Sequence, residues 1–465
     1  MEQRDTGWSA AEFRELKLGD TRLERRLRRV AEQLSAKLRT PIYGAAGDWA
    51  AAKAAYRLFD NEKVQAEKIL APHREQTLKR MREEEVMLVI QDSTYLNFGA
   101  GKKGDDLGPI GDSRSNAKGL ILHHSLAVSV AGLPLGIVTQ KIWARGSYHP
   151  QTEDQRWAKP IEEKESIRWL EALRETHQLV PRPTRAITVC DREADMYEFF
   201  QEAAVLGAPM VVRVALNRRL REAQEKYLFE RMNTFPKVGQ IQLAVPQPEQ
   251  QDRTVVCAVR LGRVTLAPPD RKGKSSLTPL TFYGIVVTEQ QEPSDPHEPI
   301  EWKLLTNIPT TSFAEALTII RYYRLRWQIE VLHRILKTGC HVEGCLLETK
   351  DRIVRYLVLC SIIAWRIFWL THIARVAPHT PALCVLSKHE LHVLRTVTKP
   401  TAACKPHLST AKEVVLAIAR LGGFLNRKHD GTPGPTPIWR GWQLLQQLSL
   451  RFNNAAALRG FTTYG

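Results

Sequence analysis

Two short runs constrain this chain most. Val86 to Ile90 is apolar throughout and leads through Gln91 to Asp92; Ala186 to Cys190, apolar but for Thr188, leads straight to Asp191. A strand with one wet face alternates apolar and polar residues, so unbroken runs like these belong to strands buried on both faces. Each strand is expected to end at its acid. Ligands in open mixed sheets gather at strand ends, so neighbouring strands would bring Asp92 and Asp191 together. Two adjacent carboxylates repel, and hard cations such as Mg²⁺, which prefer oxygen ligands, relieve that repulsion. The plainer reading stays open: a strand-end aspartate also serves as a turn former or helix cap.

The remaining pattern makes this a multidomain α+β chain. Its 465 residues suit two to four domains. Residues 1–70 read as helical: Leu23, Leu27, Val30, Leu34 and Leu38 form one stripe, with Arg22, Arg25, Arg26 and Arg29 on the other faces. A second helix is expected from Trp49 to Phe59, carrying Lys53 and Arg57 one turn apart. A small basic helical module suits DNA binding, and a solvated helix face reads equally well. Residues 71–376 alternate strands and helices, with strands at Leu120–Val130 and Leu135–Trp143 about an Ala131-Gly132-Leu133-Pro134 turn. A helix is expected at Ser166–Thr176, another at Glu193–Leu206, then a strand at Pro209–Val214. Within this region, 215–308 reads as a β-rich insertion whose exposed loops include Pro268 to Ser276. Residues 377–465 read as a helical C-terminal domain, likewise broken by prolines at its start. There Trp442, Leu445, Leu448 and Phe452 make an apolar face for a partner subunit or for the chain's own core.

Charge narrows the partner. Lys and Arg number 67 against 50 Asp and Glu, a net charge of +17, which favours a polyanion such as nucleic acid. Seven cysteines without a C-x-x-C pair argue against a zinc ribbon or redox motif, and Cys340, His341 and Cys345 lack a second ligand pair. Reduced thiols and a polar N-terminus lead us to expect a cytoplasmic chain. Ile353 to Leu370 is the most apolar stretch, but Arg355 and Arg366 interrupt it, so a buried helix is expected and no membrane partner.

A long helix carries the sharpest constellation. Ser312 and Glu315 form a capping-box pattern, and the helix is expected to run to Lys337, with Gly339 past its end. Tyr323, Arg326, Glu330 and Lys337 stand at offsets 0, 3, 7 and 14. At about 100° per residue they project within roughly 60° of one another. One face then offers a carboxylate for metal and two cations for phosphate, although a surface ion-pair row has the same composition.

The Tyr323-(2)-Arg326-(3)-Glu330-(6)-Lys337 spacing resembles the signature of the insertion-sequence-four family of bacterial transposases. The likeness extends to Ile90-Gln91-Asp92-Ser93-Thr94, Val189-Cys190-Asp191-Arg192-Glu193-Ala194-Asp195, Trp302-Lys303-Leu304-Leu305-Thr306, Ala54 to Phe59 and Ala417 to Phe424, in family order. The resemblance implies a ribonuclease H-like mixed α/β catalytic core with a β-rich insertion, flanked by helical domains. It implies that Asp92, Asp191 and Glu330 bind two Mg²⁺ ions, with Mn²⁺ as substitute, and that Tyr323, Arg326 and Lys337 hold DNA phosphates. Trp302 is then a candidate to stack on a flipped base, with burial in the core as the alternative. The partners implied are double-stranded DNA (inverted-repeat ends and target) and a second copy in a synaptic homodimer. The reaction implied is metal-dependent cut-and-paste transposition in the bacterial cytoplasm, at the nucleoid. A nuclease that does not join, and an inactive DNA-binding regulator, are the rivals.

Overall fold

The computed structural model describes residues 7–99, 106–111, 117–146, 152, 155, 159–180, 183–221, 224–245, 253–269, 277–290, 299–398, 408–427 and 429–461. Of the expected loop from Pro268 to Ser276, residues 270–276 lie outside them. The chain divides into two compact units, one of Met1–Glu83, Ser93–Tyr148 and Gln328–Gly465, the other of Glu84–Asp92 and His149–Trp327.

In the first unit, the N-terminal stripe becomes the Thr21–Ala36 helix, where Leu27, Val30 and Leu34 are buried and Asp20 caps the first turn. The helices Ile42–Ala46, Trp49–Asp60 and Ala66–Met81 follow. Strand β1 (Val86–Asn97) enters this unit at Ser93. Strands β2 (Gly108–Pro109), β3 (Lys118–Ser129) and β4 (Pro134–Trp143) accompany it, with β3 between β2 and β1 and β4 paired antiparallel to β3. The expected turn closes the β3–β4 hairpin, and Trp365 Nε1 donates to Pro134 O at 3.0 Å. That tryptophan belongs to the Lys350–Val376 helix. By length and apolarity this helix could cross a membrane, yet most of its most apolar window is buried inside the chain, as expected for a core helix.

The C-terminal helices Ala411–Leu421 and Pro435–Phe461 cross closely at glycines. A Cβ on Gly441 would lie 1.7 Å from the carbonyl oxygen of Ile418, so only glycine fits there. Trp442 and Leu445 are fully buried in this unit. They are core residues, so of the two covers left open for this face these two side chains take the chain's own core.

The second unit is a mixed sheet in the order β1–β5–β6–β10–β9–β8–β7, where β5 is Arg185–Cys190, β6 Met210–Arg213, β7 Lys237–Val245, β8 Arg253–Leu266, β9 Leu280–Glu289 and β10 Glu301–Thr306. β1, β5 and β6 run parallel. β10 pairs antiparallel with β6, Leu305 opposite Val212, so the β-rich segment extends the same sheet. Trp169 from the Ile167–Leu179 helix, Phe199 and Phe200 from Tyr197–Leu206, and Phe235 and Phe282 fill its core. The result is the mixed α/β core with helical N- and C-terminal segments expected of a ribonuclease H-like fold.

Two expectations change. Asp92 does not end its strand, because β1 continues to Asn97; it stands just past the stretch that pairs with β5. The long helix is not continuous. It runs Phe313–Leu325 behind the expected Ser312–Glu315 capping box, tightens at Arg326, whose N–H bonds to Tyr323 O three residues back, and resumes as Trp327–Arg334. A π turn, Ile335–Gly339, then replaces the expected α-helical end.

Candidate active site

Strand register brings the two aspartates together. In the parallel β1–β5 pair each residue faces the one 99 positions on, Val86 with Arg185 and Ile90 with Val189. The same offset, carried two residues further, puts Asp92 level with Asp191. Neighbouring strands lie about 4.8 Å apart, so both acids stand just past the paired β1–β5 stretch, where the charges of both bear on Cys190. Asp191 also realises the plainer reading: its Oδ1 accepts from Glu193 N at 2.9 Å and caps the Arg192–Ala194 turn.

Arg326 answers the negative charge. Its Nη1 lies 3.5 Å from Asp92 Oδ2, with both side chains only 13% exposed. Tyr323, three residues earlier on the same face, is buried, and its ring meets Trp302 edge-on with centroids 5.4 Å apart. The Arg326 guanidinium carbon stands 5.9 Å from the Tyr323 ring centre. Trp302 is half-buried on β10, which makes it neither an interior core residue nor a free ring. Trp327, the next residue along, is 58% exposed.

The chemistry of the donors tests the fit to a metal. Beside the aspartates sits Cys190, fully buried. Burial, then the charges of Asp191 and Asp92, push its thiol well above the usual range, and Arg326 offsets only part of this. A protonated thiol is no ligand. What remains is carboxylate oxygen, the donor set of a hard divalent cation. Among the described residues no three His, Cys, Asp or Glu side chains are gathered so as to hold a metal ion. Glu330 belongs to the first unit, and Asp92 and Asp191 to the second.

Within the first unit, two side chains on either side of Glu330 fix its helix to the β3–β4 hairpin. Gln328 Nε2 donates to Gly132 O at 2.9 Å, and the buried His333 meets His124, Nε2 to Nδ1 at 3.1 Å, with stacked rings. Burial holds His124 down to about 3, and burial, then His124, Lys337 and His123, lower His333, so both rings are neutral at physiological pH. Glu330 itself is half-buried, as is Lys337 on the π turn. The uniform 100° step assumed for the four-residue face therefore fails between Glu330 and Lys337, where the backbone changes pitch.

Sequence reading missed Asp195. Its buried carboxylate accepts from the N–H groups of Ala215 and Leu216 and pairs with Arg218 at 2.7 Å, tying the segment after Asp191 to the segment after β6. The only signal was a third acid in the Asp191–Asp195 block. In the N-terminal module, Arg25, Arg29, Lys53 and Arg57 are exposed and Arg26 half-buried, while Arg22 is exposed but bonded to Asp20.

Three family models match the chain. Residues 5–64 match the transposase DNA-binding model, residues 164–366 the transposase DDE domain, and residues 362–464 the transposase Tn5 dimerisation domain. The basic N-terminal helices fall in the first, and Asp191, Trp302, Tyr323, Arg326, Glu330 and Lys337 in the second; Asp92 precedes it.

Proposed function

Since the chain is a DDE transposase with the domain architecture of the Tn5 transposase, we propose that it moves a DNA element by cut-and-paste transposition. DNA binding and dimerisation come with its first and third domains, and phosphodiester hydrolysis or transesterification, generally with divalent metal ions, with its second. The observation that supports the finer reading is the level pair Asp92 and Asp191 with a guanidinium on Asp92.

In this reading Asp92, Asp191 and Glu330 hold two Mg²⁺ ions, which Mn²⁺ can replace; Glu330 is assigned by its motif. When bound, the ions supply Lewis-acid activation of the attacking oxygen and stabilisation of the leaving one. Arg326 and Lys337 neutralise the non-bridging oxygens of the scissile phosphate, and Tyr323 donates a hydrogen bond to the same backbone. Trp302 offers a ring face to a base extruded from the end sequence. The exposed cations of the N-terminal helices grip the end's phosphates. Nicking, hairpin formation, hairpin opening and joining to target are all displacements at phosphorus, so one site serves each step in a dimeric synaptic complex. The domain limits 1–70, 71–376 and 377–465, and action at the nucleoid of a bacterial cytoplasm, belong to the same proposal.

The test is direct. The full chain is incubated with duplex DNA carrying the inverted repeats that flank its gene, a target plasmid and Mg²⁺. Hairpin intermediates and joined product are expected, and both vanish in Asp191→Asn. Cleavage without joining would make the chain a nuclease, and binding without cleavage a regulator.

A further inference from the structure

Trp49 is the most exposed large apolar side chain among the described residues, at 78%. Tryptophan is usually largely buried, and this one gains nothing from the fold. It opens a twelve-residue helix, Trp49–Asp60, whose first turn is fixed because Asp48 Oδ1 accepts from Ala51 N at 2.7 Å. The helix buries Ala51, Ala52, Ala55, Leu58 and Phe59. Lys53 and Arg57, four and eight residues after Trp49, are exposed on its face: successive steps of four drift by only about 40°. One solvent face therefore runs from an aromatic ring at the helix start to two cations further along. The preceding short helix, Ile42–Ala46, is joined to it through Gly47 (φ 89°) and Asp48, a two-residue corner.

This is the layout of a helix that enters a major groove, where residues near the start of the second helix meet base edges. The major-groove edge of DNA has one apolar feature, the thymine 5-methyl group. Lys53 and Arg57 suit phosphate oxygens, which position a protein without reading sequence. We infer that Trp49 is a specificity residue: its ring packs on a thymine methyl in the element's end while Lys53 and Arg57 hold the adjoining backbone. The inference rests on the DNA-binding role of residues 5–64 and adds which side chain reads which chemical group.

Selection by the full chain from a pool of random-sequence duplexes tests it, with Trp49→Ala and Lys53→Ala compared to the parent. The parent should enrich a motif with a thymine position that Trp49→Ala no longer prefers. Replacing that thymine by uracil, which removes only the methyl, should weaken the parent about fourfold, the worth of one buried methyl group, and leave Trp49→Ala unchanged. Lys53→Ala should keep the motif and show a shallower dependence of affinity on salt. Far-ultraviolet circular dichroism should be unaltered in Trp49→Ala, whose ring is in solvent. If Trp49→Ala enriches the same motif as the parent, the ring does not read DNA and the inference fails while DNA recognition stands. A parent that enriches no motif removes end recognition itself.

Discussion

Truncating Asp195 to alanine would expose how strongly the segment after Asp191 is pinned. Asp195 Oδ2 accepts from Ala215 N and Leu216 N, both at 2.7 Å, and Oδ1 from Arg218 Nε at 3.0 Å and Nη2 at 2.7 Å. The carboxylate is 1% exposed and the Arg218 side chain 11%. Alanine leaves two backbone donors without their acceptor and the guanidinium with only the backbone carbonyl of residue 195, to which Nη2 donates at 2.6 Å. Removing one partner of a buried ion pair costs about 3–5 kcal/mol, and an unpaired buried donor about 1–3 kcal/mol. These overlap, since part of the ion-pair figure already counts stranded donors, so we expect a total near ~4 kcal/mol. Asp195→Asn keeps the shape and one acceptor oxygen and should cost about half as much. Native-state hydrogen exchange followed by mass spectrometry on the peptide spanning 210–221 measures this locally. At about 1.4 kcal/mol per tenfold change, Ala215 and Leu216 amides should exchange roughly a thousand times faster in the alanine variant. Exchange within threefold of the parent would refute the reasoning, because the carboxylate would then not be what holds this segment.

Arg326→Ala should abolish DNA cleavage by at least about a hundredfold in a nicking assay, with Arg326→Lys recovering part, since lysine keeps the charge but not the fork; cleavage at the parental rate in Arg326→Ala would remove it from the site. Gly441→Ala should lower the midpoint of thermal unfolding by several degrees, because its methyl would meet Ile418 O and the two C-terminal helices must part; an unchanged midpoint would mean the crossing relaxes freely. Burial opposes ionisation of Glu12, but Arg80 and the hydrogen bond with His73 outweigh it and hold the carboxyl at about 2, against 4.5 ordinarily. A depressed carboxyl stabilises the fold above its unfolded value and loses that contribution as pH falls through the folded one. Thermal stability should therefore drop between pH 4.5 and 2 by up to about 3 kcal/mol, and Glu12→Gln should flatten that limb; the same acid limb in both proteins would sink the assignment.

Much of this was legible because the signals are local. Continuous apolar runs marked the doubly buried strands, and Ser312 with Glu315 marked a helix start that is present as a capping box. The second half of β1 escaped because it follows a different rule. Asp92 and Ser93 are half-buried, and from Thr94 on buried and exposed residues alternate through Tyr95, Leu96 and Asn97, so a search for unbroken apolarity stops at Ile90. The break at Arg326 had no glycine or proline to announce it. The face carrying Trp442 stayed open between two covers because an amphipathic helix does not say whether it packs on its own chain or another. Register was the largest omission: that Asp92 and Asp191 stand level depends on an offset between strands 99 residues apart, which no local pattern encodes.

The π turn at Ile335–Gly339 has a consequence for how the chain tolerates change in length. A π turn is a helix carrying one residue more than its pitch accommodates, with the surplus pushed into a bulge. Losing a single residue between Ile335 and Gly339 would let the backbone relax into ordinary α geometry, keep the helix, and still turn Lys337 away from its present bearing relative to Glu330. Substitutions here can be mild where a deletion is not. The six residues between Glu330 and Lys337 thus act as a ruler whose markings are valid only while the bulge is present, and counting residues along the sequence does not reveal that the scale has changed.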